Sequence, residues 1–140
     1  MIKAEDLRIG DLVKINENCS LKEGVISYIT EIRTRGIFEK EDNVKLKHFD
    51  SDWEFGVWCC NIDPIPLTPE ILEKNGFEMR EDAVVYAKTR LGLKPLGNNK
   101  GYQVGLGSLR FLFVKARVVK YVHELQHILW ALGENANLKI

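Results

Sequence analysis

The stretch Asp63-Pro64-Ile65-Pro66-Leu67 constrains the fold more than any other part of the chain. Each proline fixes its own φ, lacks an N–H, and pushes the residue before it into the extended region. Neither a helix nor the interior of a sheet runs easily through such a segment, so it reads as an extended connector. It divides the chain into a β-rich half, 1–63, and a half with an α-β-β-β-α pattern, 64–140. A chain of 140 residues with 45% hydrophobic content can bury one sizeable core. The two halves are therefore expected to pack together as one compact unit, not to remain disordered.

Upstream of the connector the pattern is one of short strands. Leu7-Arg8-Ile9-Gly10-Asp11-Leu12-Val13-Lys14-Ile15 alternates around a Gly-Asp turn, residues 25–33 are rich in β-branched side chains, and Val44-Lys45-Leu46-Lys47-His48-Phe49 alternates cleanly. Ile37-Phe38 and the run from Trp53 to Trp58 add two more candidates. Five short strands between turn-forming clusters predict a small bent β-sheet or SH3-like barrel. Downstream, Thr68 is a good N-cap, Pro69 suits the first helical position, Glu70 complements the positive helix end, and Asn75-Gly76 is a stop signal. Residues 83–87, 102–106 and 109–114 read as three antiparallel strands. Residues 91–101 read as the connection between the first two, with Asn98-Asn99-Lys100-Gly101 as its turn tip. A closing amphipathic helix from about residue 118 to 132, capped by Gly133, completes an α+β fold.

Charge and cysteine content narrow the function classes. Twenty basic and twenty acidic side chains balance, so no bulk field draws the chain to nucleic acid or to an anionic membrane. The opening Met1-Ile2-Lys3-Ala4-Glu5-Asp6 is acidic where a signal peptide is cationic and then apolar, and no apolar run reaches transmembrane length. A soluble, cytoplasmic protein without a membrane partner is expected. Cys19, Cys59 and Cys60 are an odd number with two adjacent, which argues for thiols and supplies no spaced pair for zinc. The glycines between positions 92 and 107 match no phosphate-loop pattern and read as turns and sheet bends.

The one motif with catalytic content is His123-Glu124-Leu125-Gln126-His127, an HExxH. On a helix the two histidines stand one turn apart and can share a zinc ion, with the glutamate as general base toward a zinc-bound water. A catalytic zinc wants a third protein ligand. Trp130 and Gly133 stand where the longer HExxHxxGxxH form has glycine and histidine. Glu134 lies two turns beyond His127, and His48, Cys59 and Cys60 lie upstream with no diagnostic spacing. On a helical wheel Val118, Tyr121, Val122, Leu125, Ile128, Leu129 and Leu132 share one arc of about 120°, the core face. That places His123 and His127 on the opposite, polar side. No cofactor is expected; zinc on His123 and His127 is the alternative.

Three blocks then stand together: Leu7-Arg8-Ile9-Gly10-Asp11-Leu12-Val13, the run from Pro64 to Phe77 (PIPLTPEILEKNGF), and Lys120-Tyr121-Val122-His123-Glu124-Leu125-Gln126. In combination they resemble a group of small uncharacterised proteins of gut Bacteroidales, often encoded near prophage or conjugative-element genes. The resemblance implies a mobile-element setting and carries over no catalytic residue. In that group the position of His127 looks like asparagine, which implies that the second histidine of the motif is local to this chain.

The leading expectation is a non-enzymatic binding or accessory module with a protein partner or a second copy of itself. Trp53, Phe55 and Trp58 are its candidate contact residues, since aromatics are enriched at interfaces. Filling the core of a small barrel is the competing and favoured reading of the same three side chains. Val119 and Trp130, on the flank of the closing helix, form a second candidate surface. Two alternatives remain: a zinc-dependent hydrolase with Glu124 as base, and single-stranded nucleic-acid binding through Lys45, Lys47, His48 and the neighbouring aromatics. Asp50, Asp52 and Glu54 interleave with those cations and weaken the last.

Overall fold

The computed structural model describes residues 2–21, 23–34, 42–80, 83–86, 91–106 and 112–140, with the backbone alone for Val85 and 112–116. The chain forms two compact units, Met1–Ile65 and Pro66–Ile140. In the first, β1 (Leu12–Ile15), β2 (Ile26–Arg33), β3 (Asn43–His48), β4 (Glu54–Trp58) and β5 (Ile62–Pro64) make an antiparallel sheet in the order β4-β3-β2-β1-β5. Alternation sets its two faces. Val44 and Leu46 are fully buried opposite Val57 and Phe55, whereas Lys45 and Lys47 lie opposite Gly56 and Glu54 on the outer face.

One extra residue sits in β2: Ile29 pairs with Leu46 and Glu31 with Lys45, which leaves Thr30 as a bulge. The bulge shifts the alternation by one, so that Ile29 and Ile32 both turn to the core formed with Val13, Ile15, Leu46 and Ile62. The Gly-Asp turn before β1 closes on β2 through the Gly10 N–H, which donates to the Ile29 carbonyl at 2.7 Å. The buried Asp11 carboxylate braces the same turn by accepting from the Arg8 N–H at 2.7 Å. A 3₁₀ turn, Cys59–Asn61, leads into β5. There the Asn16 side-chain amide donates to the Cys60 carbonyl at 2.9 Å and to Asp63 Oδ1 at 3.3 Å.

The second unit is a meander framed by two helices. The strands β6 (Phe77–Arg80), β7 (Ala83–Tyr86), β8 (Leu91–Pro95), β9 (Tyr102–Leu106) and β10 (Leu112–Val119) pair in the order β10-β9-β8-β7-β6. The first helix, α1 (Pro69–Lys74), begins where its caps direct, with Thr68 Oγ1 accepting from the Ile71 N–H at 3.4 Å and Pro69 in the first turn. Glu70 sits below the ordinary carboxylate range because its own backbone N–H and then the Thr68 hydroxyl donate to it. The second helix, α2 (Val122–Ala131), ends in a Schellman turn: the Gly133 N–H reaches the Trp130 carbonyl at 3.0 Å and the Glu134 N–H reaches Leu129 at 2.8 Å, with Gly133 at φ +74°. The tail then returns. Leu138 is buried, and the Asn75 side chain brackets Lys139, donating to its carbonyl and accepting from its N–H, both at 2.8 Å.

The architecture of the described residues is thus mostly β, two five-stranded antiparallel sheets with two short α-helices. This corrects the expected α+β fold of a bent sheet or SH3-like barrel followed by a helix, three strands and a closing helix. Two extra strands in the second half account for much of the difference. β6 starts directly after Gly76 with no further punctuation. β8 contains Gly92 and Pro95, which imitate a loop, yet Leu91 and Leu93 are fully buried and Pro95 falls at the strand end opposite Tyr102. In the first half, Ile62–Pro64 is a strand and not part of a connector; its proline is tolerated because β5 is an edge. The expected strand at Ile37-Phe38 lies outside the described residues, as do positions 87 and 109–111 of two others. No helix among the described residues is long and apolar enough to cross a membrane.

Candidate functional site

The HExxH residues fall at the start of α2, and this decides what Glu124 does. With Val122 the first helical residue, Glu124 is the third, and its carboxylate folds back over the helix start. Its Oε2 accepts from the Lys120 N–H at 2.6 Å and from the Tyr121 N–H at 3.0 Å. This is the glutamate half of a capping box. Both bonds fall on one oxygen of the carboxylate and tie it to the start of its own helix.

His123 is only 4% exposed, which corrects its expected place on a polar helix face. Its ring stacks on Tyr121 with centroids 5.9 Å apart and 10° between planes, and meets His127 edge-on at 5.8 Å. The buried positions of α2 are Val122, His123, Leu125, Gln126 and Leu129, while Leu132 is exposed. The expected wheel counted residues 118–121 as helical, although Val118 and Val119 belong to β10. A helix that starts at Val122 centres its core face nearer Val122, Gln126 and Leu129. Gln126 can be buried because its Nε2 donates to the Ala136 carbonyl of the returning tail at 3.0 Å. Among the described residues no three His, Cys, Asp or Glu side chains converge as metal ligands. His48 is engaged in the first unit: its Nδ1 lies 2.6 Å from Ser27 Oγ, and its ring packs 4.6 Å from Phe55. Ser27 is fully buried, so this Ser-His pair is a core hydrogen bond closed to substrate.

The aromatics of the first unit divide between core and solvent. Phe55 is partly buried and packs against the core, as a barrel-filling residue would. Trp53 is 79% exposed and Trp58 is 45% exposed, so the favoured core role fails for both. Parity explains Trp58, whose neighbour Val57 takes the inward position of β4. Trp53 ends the turn between β3 and β4, where its N–H donates to Ser51 Oγ at 3.1 Å. Phe49, at the other end of that turn, is 62% exposed and lies 5.5 Å from the Tyr28 ring. Phe49 was not singled out from sequence, yet the signal was present: in β3 the inward positions are even-numbered, and Phe49 continues the parity of Lys45 and Lys47. In the second unit Val119 is 2% exposed, so it cannot form a contact surface, while Trp130 is 69% exposed.

The cations proposed for nucleic acid are matched by acids on the same face. Lys45 Nζ lies 2.7 Å from Glu31, which Arg33 also contacts, and Lys47 Nζ lies 3.2 Å from Asp52. The Arg33 guanidinium and then the Lys45 ammonium hold the Glu31 carboxyl down to about 2. The Asp52 carboxylate in turn raises Lys47. No protein-family model matches this chain, and the searches of curated proteins and of solved structures gave no match.

Proposed function

We propose that this protein is a non-enzymatic binding module that docks on another protein through the turn between β3 and β4. The observation that carries this reading is the exposure of Phe49 and Trp53, 62% and 79%, on one five-residue turn. Large aromatics held in water are contact anchors when a partner pocket can desolvate them. Asp50, Asp52 and Glu54 surround them with one cation, Lys47, so the partner surface is an apolar pocket with a basic rim. The same acids repel a nucleic-acid backbone. The capping role of Glu124 supports a non-enzymatic reading over zinc hydrolysis.

A photoreactive phenylalanine analogue at position 53, expressed in the native host, tests this reading. One discrete protein adduct is expected, absent when the analogue replaces Glu5, which is also exposed, and weakened by Phe49→Ser. No discrete adduct from position 53, or one that forms equally from position 5, sinks the docking surface. Stoichiometric zinc in protein purified without added metal, lost in His127→Asn, would replace the module with the hydrolase.

A further inference from the structure

Two of the three sequence blocks singled out above meet in the second unit. Pro66 bridges to Tyr121, and the Leu67 N–H donates to the Lys120 carbonyl at 2.8 Å. The turn between β8 and β9 forms a third wall, and together these walls line a cleft of about 620 Å³. The volume lies within the range of small-molecule sites.

The walls are fixed by backbone geometry. Asn98 and Asn99 both hold positive φ, 48° and 56°, and the turn is closed by the Lys100 N–H to the Gly97 carbonyl at 3.0 Å and the Leu96 N–H to Gly101 at 3.0 Å. Gly101 lies so close to β10 that a Cβ there would stand 2.5 Å from the Val119 carbonyl oxygen. The cleft is therefore preformed.

Its chemistry is one-sided. Pro66, Pro69 and Pro95 give it an apolar lining, and Lys100 and Lys120 are its charged residues, with no carboxylate among the described residues that line it. Among the described residues neither lysine has an ion-pair partner. Two acids stand close and are both engaged. Glu124 accepts from the Lys120 and Tyr121 N–H groups, and Glu70 accepts at the start of α1 while acting electrostatically on Tyr102. In a chain whose total charge is balanced, two exposed cations beside an apolar lining mark a local preference for an anion.

We infer that this cleft binds a small organic anion, whose apolar body lies against the prolines and whose carboxylate or phosphate head is held by Lys100 and Lys120. Nothing in this inference depends on the aromatic turn of the first unit.

Backbone-amide NMR of the whole protein, titrated to about 5 mM with adenosine monophosphate and separately with phenylacetate, tests it in the affinity range expected of two exposed ion pairs and a modest apolar contact. Shifts confined to residues 67–70, 96–102 and 120–121 are expected, with the first probe reporting a phosphate head and the second a carboxylate. Lys100→Gln with Lys120→Gln should weaken binding about fivefold or more. Both lysines are exposed, so the double variant keeps its fold, and its unchanged spectrum elsewhere is the control. Shifts with neither probe, equal shifts with uncharged adenosine, or affinity unchanged in the double variant each overturn the inference.

Discussion

A single glycine shows how finely the second unit is set. Gly101 has φ +89°, a backbone state that side chains with a Cβ rarely adopt, and its missing Cβ would collide with the Val119 carbonyl oxygen and with Lys120 Cγ at 2.7 Å. Gly97, in the same turn, has φ +66° but nothing within 4 Å of its virtual Cβ. The pair separates conformational strain from collision. Gly97→Ala should cost about 1 kcal/mol, from strain alone. Gly101→Ala should cost about 2–4 kcal/mol, because backbone atoms cannot yield as a flexible side chain would. Denaturant unfolding of the two variants checks this, and equal losses would refute the close approach. The turn tip was legible in the sequence, since Asn-Asn-Lys-Gly is turn chemistry. The packing of Gly101 on Val119 was not, because it joins positions 18 apart whose spacing carries no signal.

At the scale of the element, the histidine motif is a lesson in where a helix begins. HExxH was plain to see, but its meaning depended on a boundary that periodicity places poorly. With α2 starting at Val122, the same glutamate stands at the third helical position and caps its own helix. Glu124→Ala should therefore lower stability by about 1 kcal/mol, whereas Glu124→Gln, whose side-chain oxygen still accepts from the two N–H groups, should lose less than half of that. Thermal unfolding distinguishes them; a costless alanine would remove the capping role. The pairing of β2 with β3 offers a second test through charge. Glu31, usually near 4.5, is depressed to about 2 by Arg33 and Lys45. A depressed carboxyl contributes stability that is fully present above 4.5 and is lost as pH falls toward 2. Glu31 is half exposed and solvent screens the contribution, so the direct observable is its NMR titration midpoint. That midpoint should lie well below the ordinary 4.5 and rise in Lys45→Ala.

Over the whole molecule, local signals are legible in the sequence where global ones are not. Thr68 and Pro69 placed α1, and the alternation of Val44 and Leu46 placed β3, because caps and parity act within a few residues. β8 escaped because Gly92 and Pro95 mimic a loop, and its strand character arises from pairing with β7 and β9 on either side. Exposure escaped too: Trp53 and Trp58 look like core residues by type, but the register of β4 turns Trp58 outward and Trp53 belongs to the turn before the strand. Charge balance, by contrast, is a property of the whole chain that local structure sharpens. Twenty cations meet twenty anions, and on the outer face of the first sheet Lys45 and Lys47 are individually matched by Glu31 and Asp52. A single strand of nucleic acid would have to displace those carboxylates before releasing any of its own counterions. An oligothymidylate titrated at about 0.15 M salt should accordingly give no measurable binding by fluorescence anisotropy. If binding did appear, and weakened steeply as salt was raised, the aromatic turn would have to be read as a stacking platform and its acids as a specificity filter against other polyanions.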